Sequence, residues 1–105
     1  MTTFDDRENA FEAKFAHDAD TEFRVTARRN KLLGQWAAGL LHLTPAETDA
    51  YAKSVVQADF EEAGDEDVIR KLLGDLTRGG VNIDEAAVRA KIAELAQEAA
   101  KQVRG

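Results

Sequence analysis

This sequence of 105 residues lacks or nearly lacks several kinds of residue that organise small proteins. It has no cysteine, so disulfides and cysteine-based metal sites are excluded. It has one proline and one serine, and the first glycine is Gly34, so nothing in the first 33 residues is expected to break a helix. No apolar run approaches the roughly 18 residues of a membrane span, and the acidic N-terminus does not resemble a signal peptide. These absences predict a cytoplasmic protein with no direct membrane insertion.

The net charge of −6 is distributed unevenly along the chain. Residues 1–23 contain seven acidic and two basic residues, and residues 45–67 contain eight acidic residues and one lysine. Between them, residues 24–31 contain four basic residues and no acid. An acidic chain binds phosphate backbones and anionic lipid surfaces poorly, so we expect no nucleic acid partner.

Helix-forming residues dominate the sequence, and no stretch alternates with the two-residue period of a β-strand. Three segments have the composition of a helix start. They are Thr44-Pro45-Ala46-Glu47, which can form a capping box, Asp65-Glu66-Asp67, with Asp65 as the cap, and Asp84-Glu85. We expect the first helix to span Phe4 to His42, and the second and third to end at Gly64 and at Gly79-Gly80. The pattern predicts an all-α protein, a small four-helix bundle.

Apolar residues at helical spacing predict the core of this bundle. The predicted core positions are Val25, Leu32, Leu33, Trp36, Ala37, Leu40 and Leu41 in helix one, Tyr51, Ala52, Val55, Val56 and Phe60 in helix two, Val68, Ile69, Leu72, Leu73 and Leu76 in helix three, and Val88, Ile92, Leu95, Ala96, Ala99 and Val103 in helix four. We expect Gly34, Gly39 and Gly74 to permit close helix approach or a bend.

The phenylalanines near the N-terminus also follow a helical spacing. Phe4, Phe11 and Phe15 are separated by seven and four residues, so a helix places them on one side, among acidic residues. The first helix would be about 58 Å long, whereas a compact domain of this size has a radius of gyration of about 13 Å. Its first part therefore protrudes, folds back, or becomes ordered only on a partner.

This contrast divides the chain into an arm, residues 1–20, and a four-helix body, residues 21–105. If the aromatic stripe packed back onto the body, the first helix would have to bend, and no proline or glycine before Gly34 favours a bend. We therefore expect a mobile or protruding amphipathic arm that binds another protein.

Residues that carry catalysis are scarce. The only serine is Ser54, His17 and His42 are far apart, and no nucleophile elbow, zinc-binding helix motif or phosphate-binding glycine loop is present. We expect neither an enzyme nor a cofactor nor a metal site. His17 could act as a proton switch on the arm, but an exposed polar residue is the favoured interpretation.

Two charged clusters allow a functional and a structural interpretation. The acidic residues Asp59, Glu61, Glu62, Asp65, Glu66 and Asp67 could hold a hard cation. Their spacing does not match a calcium-binding loop, and a helix end followed by a capped helix start is favoured. Arg28, Arg29 and Lys31 form a possible secondary basic patch for a phosphate or an acidic partner. Equally, their stems could lie over the core.

Several stretches of sequence together resemble one known family. They are FDDRE at residues 4–8, AFEAKFAHD at 10–18, ARRNKLLG at 27–34 with WAA at 36–38, and DFEEAGDEDV at 59–68. In this order and spacing they resemble the zeta subunit, the natural inhibitor of the F-type ATP synthase of alphaproteobacteria. The resemblance spans residues 1 to about 73, and the last helix agrees in length and character. The chain departs from the family pattern at Ala63, where a proline is expected, and at Ile69, where an aromatic residue is common.

The resemblance implies a non-enzymatic inhibitor whose partners are the alpha, beta and rotor subunits of the F-type ATPase head. The segment from Thr2 to about Asp18 or Ala19 would enter a catalytic alpha/beta interface, reach the rotor, and block rotation in the direction of ATP hydrolysis. The protein would be a monomer when free. It would be cytoplasmic and peripheral to the inner membrane through the ATP synthase.

If the resemblance holds, nine side chains of the arm have expected roles. Phe4, Phe11 and Phe15 would be aromatic anchors. Ion pairs would set register and orientation; the residues expected to form them are Asp5, Asp6, Arg7, Glu8, Glu12 and Lys14.

Two other functions stay open. The bundle could be a helical adaptor or assembly module of the ATP synthase or another complex, acting through its basic patch with weak inhibitory activity or none. In that case, deletion of residues 2–18 would leave partner binding intact. A weaker alternative is nucleotide sensing at the same patch.

Overall fold

The computed structural model describes the backbone of residues 3–59 and 64–104, and the side chains of these ranges from Asp20 onward. Four helices follow one another along the chain: α1 Thr3–Leu40, α2 Pro45–Ala58, α3 Glu66–Arg78 and α4 Glu85–Arg104. The described ranges contain no β-strand. The prediction of an all-α, four-helix protein is confirmed.

Helix α1 is the scaffold on which the other helices assemble. It contacts α2, α3 and α4, and its contacts with α2 and α4 are the most extensive. Its 38 residues correspond to about 57 Å of helix, and the molecule measures 65 × 25 × 22 Å with a radius of gyration of 17.4 Å. Because α2, α3 and α4 have only 14, 13 and 20 residues, none of them matches the length of α1.

Two of the three predicted helix starts have the local chemistry expected of them, whereas Asp65 makes no capping hydrogen bond at the start of α3. Thr44 and Glu47 form a complete capping box, in which the Glu47 amide donates to Thr44 Oγ1 at 3.2 Å and the Thr44 amide donates to Glu47 Oε1 at 2.9 Å. Hydrogen bonding to the Thr44 backbone and side chain lowers the pKa of Glu47. At the start of α4, Asp84 Oδ1 accepts from the Ala87 amide at 2.8 Å.

The helix ends agree with the predictions less closely. Helix α1 ends at Leu40, and His42 takes the left-handed conformation, with φ of 59°, that a glycine usually supplies. Helix α2 ends at Ala58 with Asp59 as its cap, six residues before the predicted stop at Gly64, which has a φ of +91°. Helix α3 ends as predicted, with Gly79 as its cap and Gly80 at a φ of +84°.

The core of the body lies where the four helices meet. Its central cluster of buried residues is Leu33, Ala37, Val55, Val68, Ile69, Leu72, Leu76, Val88 and Ile92, and all nine were predicted from their spacing. Trp36, Leu41, Tyr51, Leu73 and Leu95 are partly buried against them. Leu40 is an exception, because it is 37% exposed. Phe60 lies outside the described residues.

The predicted close approach of helices occurs at Gly34. A Cβ atom at this position would lie 2.5 Å from the Cα atom of Ala52, so α1 and α2 touch through their backbones. No close helix approach occurs at Gly39, where a Cβ atom would meet nothing within 4 Å. None occurs at Gly74 either, where a Cβ atom would meet the Arg78 side chain of the same helix. A bend at these two glycines stays a prediction.

Candidate protein-binding surface

The predicted arm belongs to α1, which continues from Thr3 into the body without a break. The side chains expected to bind a partner lie outside the described side chains; they are Phe4, Asp5, Asp6, Arg7, Glu8, Phe11, Glu12, Lys14 and Phe15. His17 lies outside them as well. Their expected roles therefore remain predictions, and the described geometry begins at the base of the arm.

Exposed ion pairs mark the point where α1 meets the body. Asp20 pairs with Arg24 one helical turn later, at 3.2 Å. Glu22 pairs with Arg104 in the last turn of α4, at 3.5 Å. Because exposed pairs contribute only about 0–1 kcal/mol, they set orientation more than stability. The Glu22–Arg104 pair places the described end of α4 beside Glu22. Lys91, nearer the start of α4, lies 5.7 Å from the ring centroid of Trp36, so α4 runs antiparallel to α1.

The base of the arm carries an exposed aromatic residue that the sequence analysis did not single out. Phe23 is 56% exposed. It lines a cleft of about 190 Å³ between α1 and the end of α2, together with Ala27, Val56 and Asp59. It lies off the stripe formed by the three earlier phenylalanines, so their spacing did not point to it. Phe23 adds apolar area to this cleft, but one exposed apolar side chain does not by itself identify an interface.

Arg29 is directed into the molecule. Its side chain is 9% exposed, and its guanidinium donates twice to Asn30 Oδ1, at 3.1 and 2.8 Å. It also lies 3.0 Å from Asp65 and 3.8 Å from Asp59. Arg29 thus connects α1 with the end of α2 and the start of α3, and a planar guanidinium suits such a convergent set of oxygens.

This arrangement separates Arg29 from the predicted basic patch. Arg28 and Lys31 are exposed, whereas Arg29 is buried. Lys53 of α2, which the sequence analysis did not include, joins them by lining the same groove as Lys31. Spacing within one helix could not reveal a neighbour supplied by another helix.

All four described residues of the acidic cluster are paired with arginines. Asp59 and Asp65 face Arg29, Glu66 lies 3.2 Å from Arg89, and Asp67 lies 2.9 Å from Arg70. Asp65 occupies the cap position of α3 but makes no capping hydrogen bond, because its carboxylate faces Arg29. Among the described residues, no group of three or more potential ligands is arranged to hold a metal ion. Glu61 and Glu62 lie outside those residues.

A second polar cluster joins α2 to α3 within the body. Tyr51 Oη donates to Asp75 Oδ2 at 2.7 Å, Lys71 Nζ donates to the same oxygen at 3.1 Å, and Arg78 contacts the other oxygen. Burial alone would raise the pKa of Asp75, but the hydrogen bonds from Tyr51, Lys71 and Arg78 hold it below its usual value. Burial and the neighbouring Asp75 raise the pKa of Tyr51. Because Tyr51 belongs to α2 and Asp75 to α3, this cluster stabilises the contact between the two helices.

Comparisons with known proteins place this architecture in a family. No curated protein matches the chain. One solved structure, the solution NMR structure of a protein, is 51% identical in sequence with a TM-score of 0.70, and the match covers 79% of this chain and 94% of that one. The family described as ATPase inhibitor subunit zeta matches residues 1–102, which include both arm and body. The chain therefore belongs to the ATPase inhibitor subunit zeta family.

Proposed function

We propose that this protein inhibits the F-type ATPase by inserting its arm, residues 1–20, into a catalytic alpha/beta interface near the rotor. There it blocks rotation in the direction of ATP hydrolysis. Family membership supports an inhibitory, regulatory role and an interaction with the ATPase. The observation that carries the proposed mechanism is the continuity of α1, which joins the arm and the body in one helix of 38 residues.

Helical register relates the aromatic residues of the arm to the core of the body. Phe15 and Leu33 are 18 residues apart, which is five turns at 3.6 residues per turn. Phe11 and Arg29 are separated by the same interval. Since Leu33 and Arg29 are buried, Phe11 and Phe15 have the register of the face of α1 that the other helices cover in the body. Phe4 instead has the register of the exposed Glu22, 18 residues later.

The other helices pack against only part of the length of α1. The last turn of α4 reaches Glu22, and Asp59, the cap of α2, lies beside Arg29. Nearer the N-terminus, the same face of α1 would need a partner to bury it. We propose that the alpha/beta interface buries this face, in the manner of an amphipathic helix bound in a groove.

The energetics of insertion are consistent with this arrangement. Burial of one phenylalanine side chain contributes about 1.5–3 kcal/mol, whereas ordering a residue costs about 1–2 kcal/mol of backbone entropy. Three aromatic anchors could not offset the ordering of a wholly disordered segment of 17 residues. A helix propagated from the body reduces the ordering cost, because its nucleus is already formed.

The ATP synthase would also determine where the protein resides, namely at the cytoplasmic side of the inner membrane. Within the described ranges, no helix has the length and apolar content of a membrane span.

An adaptor function is the second candidate. It is favoured by the exposed side chains of Arg28 and Lys31, which lie on the body and outside the arm. Under this alternative, binding to the complex would persist without residues 2–18, and inhibition would be weak or absent.

Truncation of the proposed anchors tests the role of the arm. We expect Phe11→Ala and Phe15→Ala each to raise the concentration needed for half-inhibition of ATP hydrolysis by at least about tenfold, as for the loss of a buried aromatic anchor. Leu40→Ala is the matched control, because it removes an exposed apolar side chain from the other end of α1. It should inhibit like the unmodified protein.

The outcome that would contradict the arm mechanism is equally specific. If both phenylalanine variants inhibit as strongly as the Leu40→Ala control, aromatic insertion is not the source of inhibition. Circular dichroism of each variant checks that the body remains folded.

A further inference from the structure

Most lysines and arginines in the described part of the chain pair with a carboxylate. Arg29, Lys71, Arg78, Arg89 and Lys91 do so within or between the helices of the body. Arg24, Arg70 and Arg104 do so at its surface. Among the described residues, four cations make no ion pair: Arg28, Lys31, Lys53 and Lys101.

Three of these four cations line two adjoining grooves at the base of the arm. Arg28 and Lys31 border a groove of about 510 Å³ between α1 and the end of α4. Lys31 and Lys53 border a groove of about 560 Å³ between α1 and α2. Because Lys31 and Val56 line both grooves, the two form one continuous surface, which we call the cationic surface.

The cationic surface combines charge with apolar area. Phe23, Val56 and Val103 line the first groove, and Ala52 and Val56 line the second. Protein interfaces commonly combine an apolar centre with a polar rim. A site for a small anion would need donors that converge on one point, whereas these cations extend from α1 to α2.

The charge of the surface contrasts with that of the whole chain. The protein has 20 acidic and 14 basic residues, so carboxylates are plentiful and elsewhere pair with nearly every described cation. Asp49 lines the same groove as Lys53 and Lys31, yet it makes no ion pair with either. The cationic surface is therefore locally positive, although the whole chain is acidic, and a local positive charge attracts an acidic surface.

We propose that the cationic surface, formed by Arg28, Lys31 and Lys53, binds an acidic and partly apolar protein segment on the outside of the ATPase head. This inference rests on the proposed function, because it takes the ATPase as the partner of the arm. Arg28 follows Phe15 by 13 residues, or about 20 Å of helix. The surface would therefore contact the head near the entrance through which the arm inserts and would guide the arm towards it.

Association kinetics with the purified ATPase head test this inference on the full-length protein. Arg28→Glu, Lys31→Glu and Lys53→Glu should each lower the association rate constant several-fold at low salt, and the triple variant by at least about tenfold, since exposed interfacial charges act mainly on association. The salt dependence of the rate should weaken in parallel. Lys101→Glu is the matched control, because Lys101 is also unpaired in the described structure but lines neither groove. Its rate should stay within about twofold of the unmodified protein.

The possible failures are distinguishable. If the unmodified protein neither binds nor inhibits the head, the proposed function fails. If it binds and inhibits, but the triple variant associates like Lys101→Glu, only the cationic surface is refuted. Sedimentation of the isolated protein tests self-association. If the unmodified protein sediments as a dimer and the triple variant as a monomer, the surface binds a second copy of the chain, and the proposal is overturned.

Discussion

The residue that best illustrates a local effect of burial is Tyr51. Its hydroxyl group donates to Asp75, and Lys71 lies above its ring at 5.1 Å from the centroid. Folding therefore keeps the phenol protonated and the carboxylate ionised. The raised pKa of Tyr51 contributes stability below its unfolded value of about 10, and this is lost as the pH rises further. The lowered pKa of Asp75 contributes stability above about pH 4, which is lost on acidification.

Tyr51→Phe should expose this coupling. We expect a loss of about 1.5 kcal/mol in the free energy of unfolding at pH 7, because a hydrogen bond to a charged acceptor is removed. The difference between the two proteins should shrink above pH 10, where the unfolded tyrosine ionises. Urea unfolding at pH 7 and at a pH above 10 measures this difference in the free energy of unfolding. The chain contains no other tyrosine, so no second phenol contributes to it. A difference that is the same at both pH values would contradict the assignment.

Arg29 shows the limit of sequence inference at the residue scale. The sequence alone left two interpretations open, a partner-binding side chain and a stem lying over the core. The structure differs from both, because the guanidinium group as well as the stem is buried, between Asn30 and Asp65. Burial of an arginine depends on carboxylates from other elements. Asp59 and Asp65 follow Arg29 by 30 and 36 residues in sequence, so no local pattern could predict their convergence.

At the scale of elements, helix starts were more predictable than helix ends. Thr44 with Glu47, and Asp84 with the amide of Ala87, form closed hydrogen-bonded patterns within four residues, so the sequence contains all the participants. The end of α2 depends on tertiary contacts, since Asp59 lies beside Arg29 of α1. His42 likewise takes a left-handed conformation that glycine adopts more readily.

Contact between α1 and α2 makes a sharp prediction about two glycines of one helix. Gly34→Ala should destabilise the body by about 2 kcal/mol or more, because the new methyl group would overlap the backbone of Ala52 and the helices must separate. Gly39→Ala introduces the same group where nothing lies within 4 Å. It should stabilise the protein by up to about 0.5–1 kcal/mol through helix propensity. Thermal or urea unfolding compares them.

The opposite order of stability would mean that α1 and α2 are not in backbone contact. Equal destabilisation by both substitutions would mean that the glycines act through helix flexibility instead.

At the scale of the whole molecule, α1 is longer than each of the helices that pack against it. From Leu33 onward, α1 supplies the buried core. Nearer the N-terminus it extends beyond the other helices, as the 65 Å long axis shows. The sequence predicted this length, because residues at helical spacing, without proline or glycine before Gly34, required a helix longer than a compact domain. It could not predict the cationic surface, since Lys53 reaches Lys31 only after α2 has folded onto α1.

The roles of the arm side chains and the division at residue 20 remain predictions. They rest on the phenylalanine spacing and on the family to which residues 1–102 belong. The energetic argument for them is that a helix anchored in the body is partly organised for insertion.

ATP hydrolysis by the purified ATPase head, with the full-length protein and with a version lacking residues 2–18, tests this division most directly. The core begins at Leu33, so we expect the shortened protein to remain folded, and circular dichroism checks this. The full-length protein should inhibit hydrolysis, and the shortened version should lose that inhibition. Equal inhibition by both would contradict the arm mechanism and place the inhibitory contact on the body.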